Sequence, residues 1–247
     1  MPEPLAAIVL AAGKGKRMKS DLPKVLHEVA GKPMVMRVID TLRKLDVERV
    51  VVVIGHRADL VREKLADTGV EFVEQREQLG TAHAVGMAKE SLADFDGNVI
   101  VLAGDVPLLR VESITELIEE HSKTNAAGTV LTAKLPDPTG YGRIVRDDNN
   151  MILKIVEHKD ASEEERKIAE INTGTFVFSK KPLFEALGKV DNNNKQGEYY
   201  LTDVMQIFQD QGLSTAGSCV ADYRETLGIN SREQLEEIEI IYRSELT

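Results

Sequence analysis

The 247-residue sequence contains a single cysteine, Cys219, and no tryptophan. One cysteine cannot form an internal disulfide, so the chain is not a disulfide-stabilised secreted module and suits a reducing compartment. Because Cys219 lies in a run that is predicted to be a strand, we predict a small core residue at this position and not a nucleophile.

Long hydrophobic runs and excess positive charge are also lacking. The longest apolar runs, such as residues 50–54, are far shorter than the ~20 residues of a membrane-spanning helix. Residues 1–4 lead directly into a strand-like run, so we predict no signal peptide, no membrane partner and a cytoplasmic location. The formal net charge of -10 argues against broad nucleic-acid binding.

One short segment is basic against this acidic background. Between Gly13 and Lys24, five cationic side chains accompany a single carboxylate. Gly13 and Gly15 follow the strand-like run AAIVLA and let backbone amides approach phosphate oxygens. Arg17 is suited to bind phosphate with two hydrogen bonds, and Lys24 adds a compact charge. The segment predicts a site for a small anion with several charges, and the alternative is a solvated basic turn.

Two known phosphate-binding motifs fit this segment only in part. A P-loop requires glycine before its Lys-Ser pair, but Met18 precedes Lys19 and Ser20. A dinucleotide fingerprint has a third glycine where this sequence again has Met18. The segment is therefore neither of these two motifs.

Strand-like and helix-like segments alternate through the first half of the chain. RVVVVIG and NVIVLAGD are typical of buried strands, whereas MVMRVIDTLRKL and GTAHAVGMAKESL have helical periodicity. Such repeated units predict an α/β fold with a mostly parallel central sheet flanked by helices. After residue 128, shorter strand-like pieces predict additional antiparallel strands. Ligands of such sheets bind beyond the carboxyl ends of the strands, which places the basic segment and Asp105 at one edge.

The order of several motifs resembles a known family. LAAGKGKRMKSDLPK is similar to the signature of the sugar nucleotidyltransferases. EQLGTAHA, LAGDVPLL, GYGRIV, IVEHKDA, EINTG, QGEYYLTD and GIN follow in the order found in the N-terminal uridylyltransferase part of the bifunctional GlmU family. The resemblance covers nearly the whole chain. One position departs from the family pattern: Lys16 stands where threonine or serine is usual, and an added cation is compatible with a triphosphate ligand.

The resemblance implies a Rossmann-like nucleotidyltransferase fold and a Mg²⁺-dependent activity. The implied reaction transfers UMP from UTP to N-acetylglucosamine 1-phosphate and gives UDP-N-acetylglucosamine, a peptidoglycan precursor, and pyrophosphate. Two alternatives stay open. One is a related transferase that uses glucose 1-phosphate with UTP or dTTP, and the other is a non-catalytic sensor of nucleotide sugars.

The resemblance also implies roles around the triphosphate. Arg17 and Lys24 are the implied catalytic residues, with Arg17 toward the leaving pyrophosphate and Lys24 nearer the reacting centre. Asp105 and Asn230 are the implied Mg²⁺ ligands. From residue chemistry alone, Asp105 is equally suited to a metal site or to a hydrogen-bonded turn, and Asn230 is typical of a helix start.

Base and sugar contacts are implied in the same way. The implied nucleotide-binding residues are Ala11, Ala12, Gly13, Gly15, Gln75, Gly80 and Thr81. The implied sugar-binding residues are Gly142, Glu157 and Asn172, with Glu198, Tyr199 and Thr202 as lesser candidates. Without the resemblance, Gln75 is typical of an exposed strand end, Glu157 of a surface charge, and Tyr199 of a packing residue.

The resemblance divides the chain into a nucleotidyltransferase domain, 1–230, and a C-terminal helix, 231–247. Residues 1–125 are the expected nucleotide-binding half and residues 126–230 the expected sugar-binding half. Ser231 and Gln234 predict a capping box at the start of the helix. The sequence contains no hexapeptide repeat, so we expect no acetyltransferase domain, and the oligomeric state stays open.

Overall fold

The computed structural model describes residues 3–148 and 150–245. The strands are β1 (Leu5–Ala11), β2 (Glu28–Val29), β3 (Lys32–Pro33), β4 (Val47–Ile54), β5 (Glu71–Glu74), β6 (Asn98–Ala103), β7 (Gly128–Lys134), β8 (Arg143–Arg146), β9 (Ile152–Val156), β10 (Glu170–Ser179) and β11 (Thr215–Cys219). The α-helices are α1 (Met34–Leu42), α2 (Ala58–Lys64), α3 (Thr81–Gly86), α4 (Val111–Thr124), α5 (Glu163–Arg166), α6 (Lys180–Leu187), α7 (Asp203–Asp210) and α8 (Arg232–Glu245). The predicted C-terminal helix is α8, and residues 246 and 247 of that prediction lie outside the described residues.

The described residues form a nine-stranded mixed sheet beside the small β2–β3 pair. Seven strands follow the order β11-β7-β10-β6-β1-β4-β5, and β8 pairs with β10 and β9 pairs with β8. β5, β4, β1 and β6 run parallel. β10 is antiparallel to β6 and β7, and β8 is antiparallel to β9. The predicted α/β fold with antiparallel strands in its second half is confirmed.

Both faces of the central strands are buried. In β1, Ala6 and Ile8 face a core built with α3, α6 and α7, whereas Ala7 and Val9 face a core built with α1, α2 and α4. Successive side chains of a strand point to opposite faces, so a strand covered on both sides is apolar at every position. This explains the continuous apolar runs in the sequence.

Helix α1 buries the predicted stripe of Val35, Val38, Ile39 and Leu42. The predicted helix over residues 80–92 is shorter, because α3 ends at Gly86. Beyond it, the amides of residues 88 and 89 bond to carbonyls three residues back, in a series of tight turns. Glycine inside a helix is costly for backbone entropy, which accounts for the end of regular α-helix at this point.

Helix α8 returns the end of the described chain to the basic segment. Its Ile238 packs with Met18, Met34 and Ile229 in a small separate core, and the Arg232 guanidinium donates to the Met18 carbonyl at 3.2 Å. The segment that follows β1 is thereby held between the sheet edge and α8.

Two observations concern the surface of the molecule. Among the described residues, no helix is both long and apolar enough to cross a membrane. The prediction of a buried Cys219 is wrong: the residue ends β11 and its side chain is exposed. β11 is the edge strand of the sheet, so one of its sides is not covered as a central strand would be.

Candidate active site

Lys24 is positioned by the backbone of the basic segment. Gly15 has a φ of 56°, and a Cβ at this residue would lie 2.7 Å from the Cβ of Lys24. Only glycine adopts this left-handed conformation without strain and also leaves room for the lysine stem. Lys24 itself begins a short 3-10 turn, Lys24–Leu26, whose residues Val25 and Leu26 are buried. Lys24 is therefore held by its contact with Gly15 on one side and by the buried residues that follow it on the other.

The Lys24 ammonium joins the two residues that the resemblance implies as metal ligands. Its Nζ donates to Asp105 Oδ2 in a short ion pair and to Asn230 Oδ1 at 2.9 Å. The Lys24 and Asp105 side chains are only 17% and 12% exposed. Two oxygen atoms from distant parts of the chain thus converge on one cationic centre.

Backbone contacts hold Asp105 and Asn230 in register. Asp105 follows β6, and its carbonyl accepts a hydrogen bond from the Ile229 amide at 3.0 Å. The backbone amide of Asn230 donates to Gln234 Oε1 at 2.8 Å. The predicted capping box at Ser231 is therefore only half formed: Ser231 Oγ accepts from the Gln234 amide at 3.3 Å, but the glutamine side chain binds the Asn230 amide instead.

A cavity of about 280 Å³ opens at the carboxyl edge of the sheet, beside Lys24 and Asp105. Its lining includes the predicted residues Ala11, Ala12, Gly13, Lys24, Gln75, Gly80, Thr81 and Asp105, together with Glu198. The basic segment, the ends of β1, β5 and β6 and the start of α3 therefore surround one space. Parallel strands bring their carboxyl ends to one edge, which is why residues so far apart in sequence meet there.

One end of the cavity is formed by Gln75 and Gly80. Gln75 is 3% exposed, and its Nε2 donates to the Gly80 carbonyl at 3.0 Å. Gly80 has a φ of 122°, and a Cβ there would lie 2.4 Å from the Tyr199 carbonyl oxygen. The glycine therefore allows residues 79–82 to bond to the backbone of Tyr199 on both sides. The alternative of an exposed strand end at Gln75 does not hold, because this residue is buried in the cavity wall.

Four of the predicted sugar-binding residues lie close together near β8, β9 and β10. Thr202 Oγ1 donates to Glu157 Oε1 at 3.2 Å, and the backbone amide of Asn172 donates to the Gly142 carbonyl at 2.9 Å. A Cβ on Gly142 would lie 3.5 Å from Glu157 Oε1. Burial raises the pKa of Glu157 above its usual range, and the hydrogen bond from Thr202 opposes the shift. Tyr199 contributes mainly backbone hydrogen bonds to Leu79 and Ala82 and packing to the core.

The segment 198–202 connects these two groups of residues. Glu198 lines the cavity, and the Leu201 amide donates to Thr81 Oγ1 at 2.9 Å. Thr202, the next residue, bonds to Glu157. The nucleotide-side and sugar-side candidates are therefore neighbours through one short stretch of backbone.

Arg17 lies apart from this cluster. Its side chain is exposed on the 3-10 turn Lys16–Met18, and it is not part of the cavity lining. Its role toward pyrophosphate stays a prediction. Glycine at position 15 acts indirectly, by packing on Lys24, and also does not line the cavity.

One supporting residue, Glu225, was not predicted from the sequence. Glu225 is buried and accepts hydrogen bonds from the Arg110 amide at 3.0 Å and the Ser113 hydroxyl at 2.8 Å. It thus satisfies the first turn of α4, the helix that follows Asp105, and ties it to the segment that leads to Asn230. A carboxylate that caps a helix from another part of the chain leaves no pattern in local sequence.

A pH-dependent stability is expected from Asp203, at the start of α7. Burial, with the charges of Asp191 and Asp160, raises the pKa of Asp203 to about 6. As pH rises above about 4, the unfolded chain loses this proton while the folded protein keeps it, so the carboxylate increasingly destabilises the fold until pH passes 6. Asp203→Asn should therefore add about 1 kcal/mol of stability at pH 8, after allowance for solvent screening, and little at pH 3.5.

Urea denaturation at several pH values between 3.5 and 8 measures this difference. The matched control is Asp46→Asn, because Asp46 is an exposed aspartate after α1. The change in stability that this control causes is compared with that of Asp203→Asn at each pH. An Asp203→Asn variant that is less stable than the parent at pH 8 would contradict the prediction.

The parallel sheet edge, the cavity and the lysine-centred oxygen pair are the arrangement that we expect at the site of a nucleotidyltransferase. Residues 7–202 match the family model of the MobA-like NTP transferase domain. The chain belongs to this family.

Comparison with curated proteins confirms the resemblance to GlmU. The chain is 54% identical over 233 residues to the bifunctional protein GlmU of Brevibacillus brevis, covering 94% of this chain and 50% of that protein. It is 52% identical over 237 residues to the bifunctional protein GlmU of Streptococcus uberis, covering 96% of this chain and 52% of that protein. The chain thus spans about half the length of these curated relatives.

A solved structure agrees with the fold. A putative glucose-1-phosphate thymidylyltransferase from Bacillus anthracis, in complex with sucrose, superimposes with a TM-score of 0.73. The match covers 97% of this chain and 95% of that one, at 20% sequence identity. This likeness shows that the two chains share the nucleotidyltransferase fold.

Proposed function

We propose that this chain transfers UMP from UTP to N-acetylglucosamine 1-phosphate and releases UDP-N-acetylglucosamine and pyrophosphate. The observation that carries the proposal is that Asp105 and Asn230 both bond to the Lys24 ammonium. This contact lies beside a cavity that Lys24, Asp105, Gln75 and Gly80 line. The names of the curated relatives support the choice of GlmU chemistry within the family.

In the proposed reaction, a phosphate oxygen of the sugar phosphate attacks the α-phosphorus of UTP. A new P–O bond forms, the bond from the α-phosphorus to the bridging oxygen of the β-phosphate breaks, and the electron pair leaves with pyrophosphate. Such displacements depend on alignment and on neutralisation of phosphate charge, with no covalent nucleophile from the protein. Lys24 supplies a fixed positive charge, and the backbone amides around Gly13 can approach the phosphate oxygens closely.

The residues present fit a bound Mg²⁺. Asp105 and Asn230 offer one carboxylate and one amide oxygen, the hard ligands this ion prefers, and both already point at a single cation, the Lys24 ammonium. Among the described residues, no cluster of three or more acidic, histidine or cysteine side chains could hold a metal. Mg²⁺ would therefore take its other ligands from substrate phosphates and water, and when bound it would neutralise phosphate charge.

Sugar recognition is assigned to the group around Glu157. Its carboxylate accepts from Thr202 and retains further acceptor capacity for sugar hydroxyls. Asn172 Oδ1 accepts from the Gly174 amide at 2.9 Å, so its Nδ2 group is the part available to a ligand. An amide donor and a carboxylate acceptor together suit an N-acetylated sugar, whose amide and hydroxyl groups need both.

Substrate identity is tested by a matrix of UTP, CTP, dTTP and ATP against N-acetylglucosamine 1-phosphate and glucose 1-phosphate. We expect pyrophosphate release to be fastest with UTP and N-acetylglucosamine 1-phosphate, by about tenfold or more over each other pair. EDTA should abolish the reaction, and added Mg²⁺ should restore it.

Three outcomes of the matrix would change the assignment. A strong preference for glucose 1-phosphate would overturn the proposed sugar, and a preference for dTTP would overturn the proposed base. Binding of UDP-N-acetylglucosamine by calorimetry without turnover of any pair would instead favour a sensor of nucleotide sugars.

A further inference from the structure

His83 is a residue near the cavity that the proposed reaction does not use. It lies on α3, two residues after Thr81, and its Nδ1 is 3.0 Å from Gln75 Nε2. The same Gln75 nitrogen also donates to the Gly80 carbonyl at 3.0 Å. A carbonyl oxygen can only accept, so the Gly80 contact identifies this end of the amide as the nitrogen. Both of its N–H groups are then engaged by protein acceptors.

This arrangement leaves one polar group of Gln75 for a ligand. In the part of the chain that the structure describes, every hydrogen bond of the Gln75 side chain uses Nε2, and none uses Oε1. Gln75 lines the cavity, and the residue is only 3% exposed. For a ligand that bonds to the Gln75 side chain, the atom that remains is therefore the acceptor Oε1.

An acceptor at this position discriminates between two pyrimidines of the same size. Uracil carries a hydrogen on ring nitrogen N3 and donates there, whereas cytosine has a lone pair on N3. Two facing acceptors repel, and a buried acceptor without a partner is costly. A site that requires a ring N–H thus rejects a cytosine ring that presents N3 to it.

We propose that His83 is a positioning residue that sets the preference for uracil over cytosine. By accepting at Nδ1, its imidazole holds the second N–H of Gln75 away from the cavity, so that only Oε1 faces the base. This inference rests on the proposed uridylyl transfer. The required neutral imidazole carries its proton on Nε2.

The kinetic test compares His83→Ala with His83→Asn. The asparagine Oδ1 occupies the position that Nδ1 has in histidine and can accept the same hydrogen bond, whereas alanine cannot. We expect His83→Ala to lower the ratio of kcat/KM for UTP to that for CTP by about tenfold or more, with N-acetylglucosamine 1-phosphate as the second substrate. His83→Asn should keep most of the ratio, and kcat with UTP should change little in both variants.

A second measurement does not depend on any variant. Long-range ¹⁵N–¹H NMR of the imidazole at pH 8 reports which ring nitrogen carries the proton. We expect Nε2 to be protonated and Nδ1 to be an unprotonated acceptor. If His83→Ala fails to fold, this spectrum of the parent protein decides the matter.

The outcomes separate this inference from the proposed function. If the parent enzyme does not use UTP, the proposed function itself fails. If the parent prefers UTP but His83→Ala keeps the UTP to CTP ratio within about twofold, or if Nδ1 carries the proton, the role of His83 is overturned and uridylyl transfer stands.

Discussion

Asp105→Ala is expected to lower turnover of UTP and N-acetylglucosamine 1-phosphate by about a thousandfold or more while the protein stays folded. The substitution removes the carboxylate that pairs with Lys24 and that we propose as a ligand of Mg²⁺. Without this ligand, Mg²⁺ would be held less well, and the reacting phosphates would lose the positive charge that neutralises them. The fold should persist, because the backbone carbonyl of residue 105 still accepts from the Ile229 amide.

Pyrophosphate release measures the loss, and thermal unfolding checks the fold. Asp96→Ala is the matched control, because Asp96 is an exposed aspartate just before β6, at the end of the strand opposite Asp105. This variant should keep the activity of the parent. Activity of Asp105→Ala within about tenfold of the parent would remove Asp105 from the metal site.

Lys24→Ala is expected to lower kcat/KM for the triphosphate by about a hundredfold or more. It removes the fixed charge nearest the cavity and leaves the oxygens of Asp105 and Asn230 without their ammonium partner. Lys24→Arg should recover part of the loss, since a planar guanidinium keeps the charge but does not reproduce the point contact of an ammonium.

The control for Lys24 is Lys44→Ala, which removes the same charge from an exposed position after α1. Its kcat/KM should match that of the parent, because an exposed charge far from the cavity is screened by solvent. An unaffected rate in Lys24→Ala would discard the proposed role of this lysine.

Much of the scaffold could be predicted because burial on both faces leaves a direct mark on sequence. β1, β4 and β6 are apolar at nearly every position, and the stripe of α1 has the helical period. The carboxyl edge of a parallel sheet then follows from topology, which placed Asp105 and the basic segment together before any coordinates. The division at residues 125 and 230 stays a prediction, although strands of both halves pair in one sheet through β6 and β10.

Other features depended on contacts between distant residues. Gln75 is typical of an exposed strand end in sequence, yet α3 and Gly80 enclose it. Gln234 has the spacing of a capping box, but its side chain selects the Asn230 amide. Cys219 sits in a strand-like run, but β11 forms an edge of the sheet. Each outcome was decided by which parts of the chain become neighbours on folding, and local sequence does not encode that arrangement.

The sequence by itself determined the α/β class, the parallel arrangement of the first strands and the presence of a basic, glycine-containing segment at their carboxyl edge. These follow from periodicity, burial and the conformational freedom of glycine, which act within a few residues. Only the tertiary structure decided that one ammonium joins Asp105 to Asn230 and that His83 engages the amide of Gln75. Those contacts join residues from separate elements, and a hydrogen bond exists only where folding brings donor and acceptor into reach.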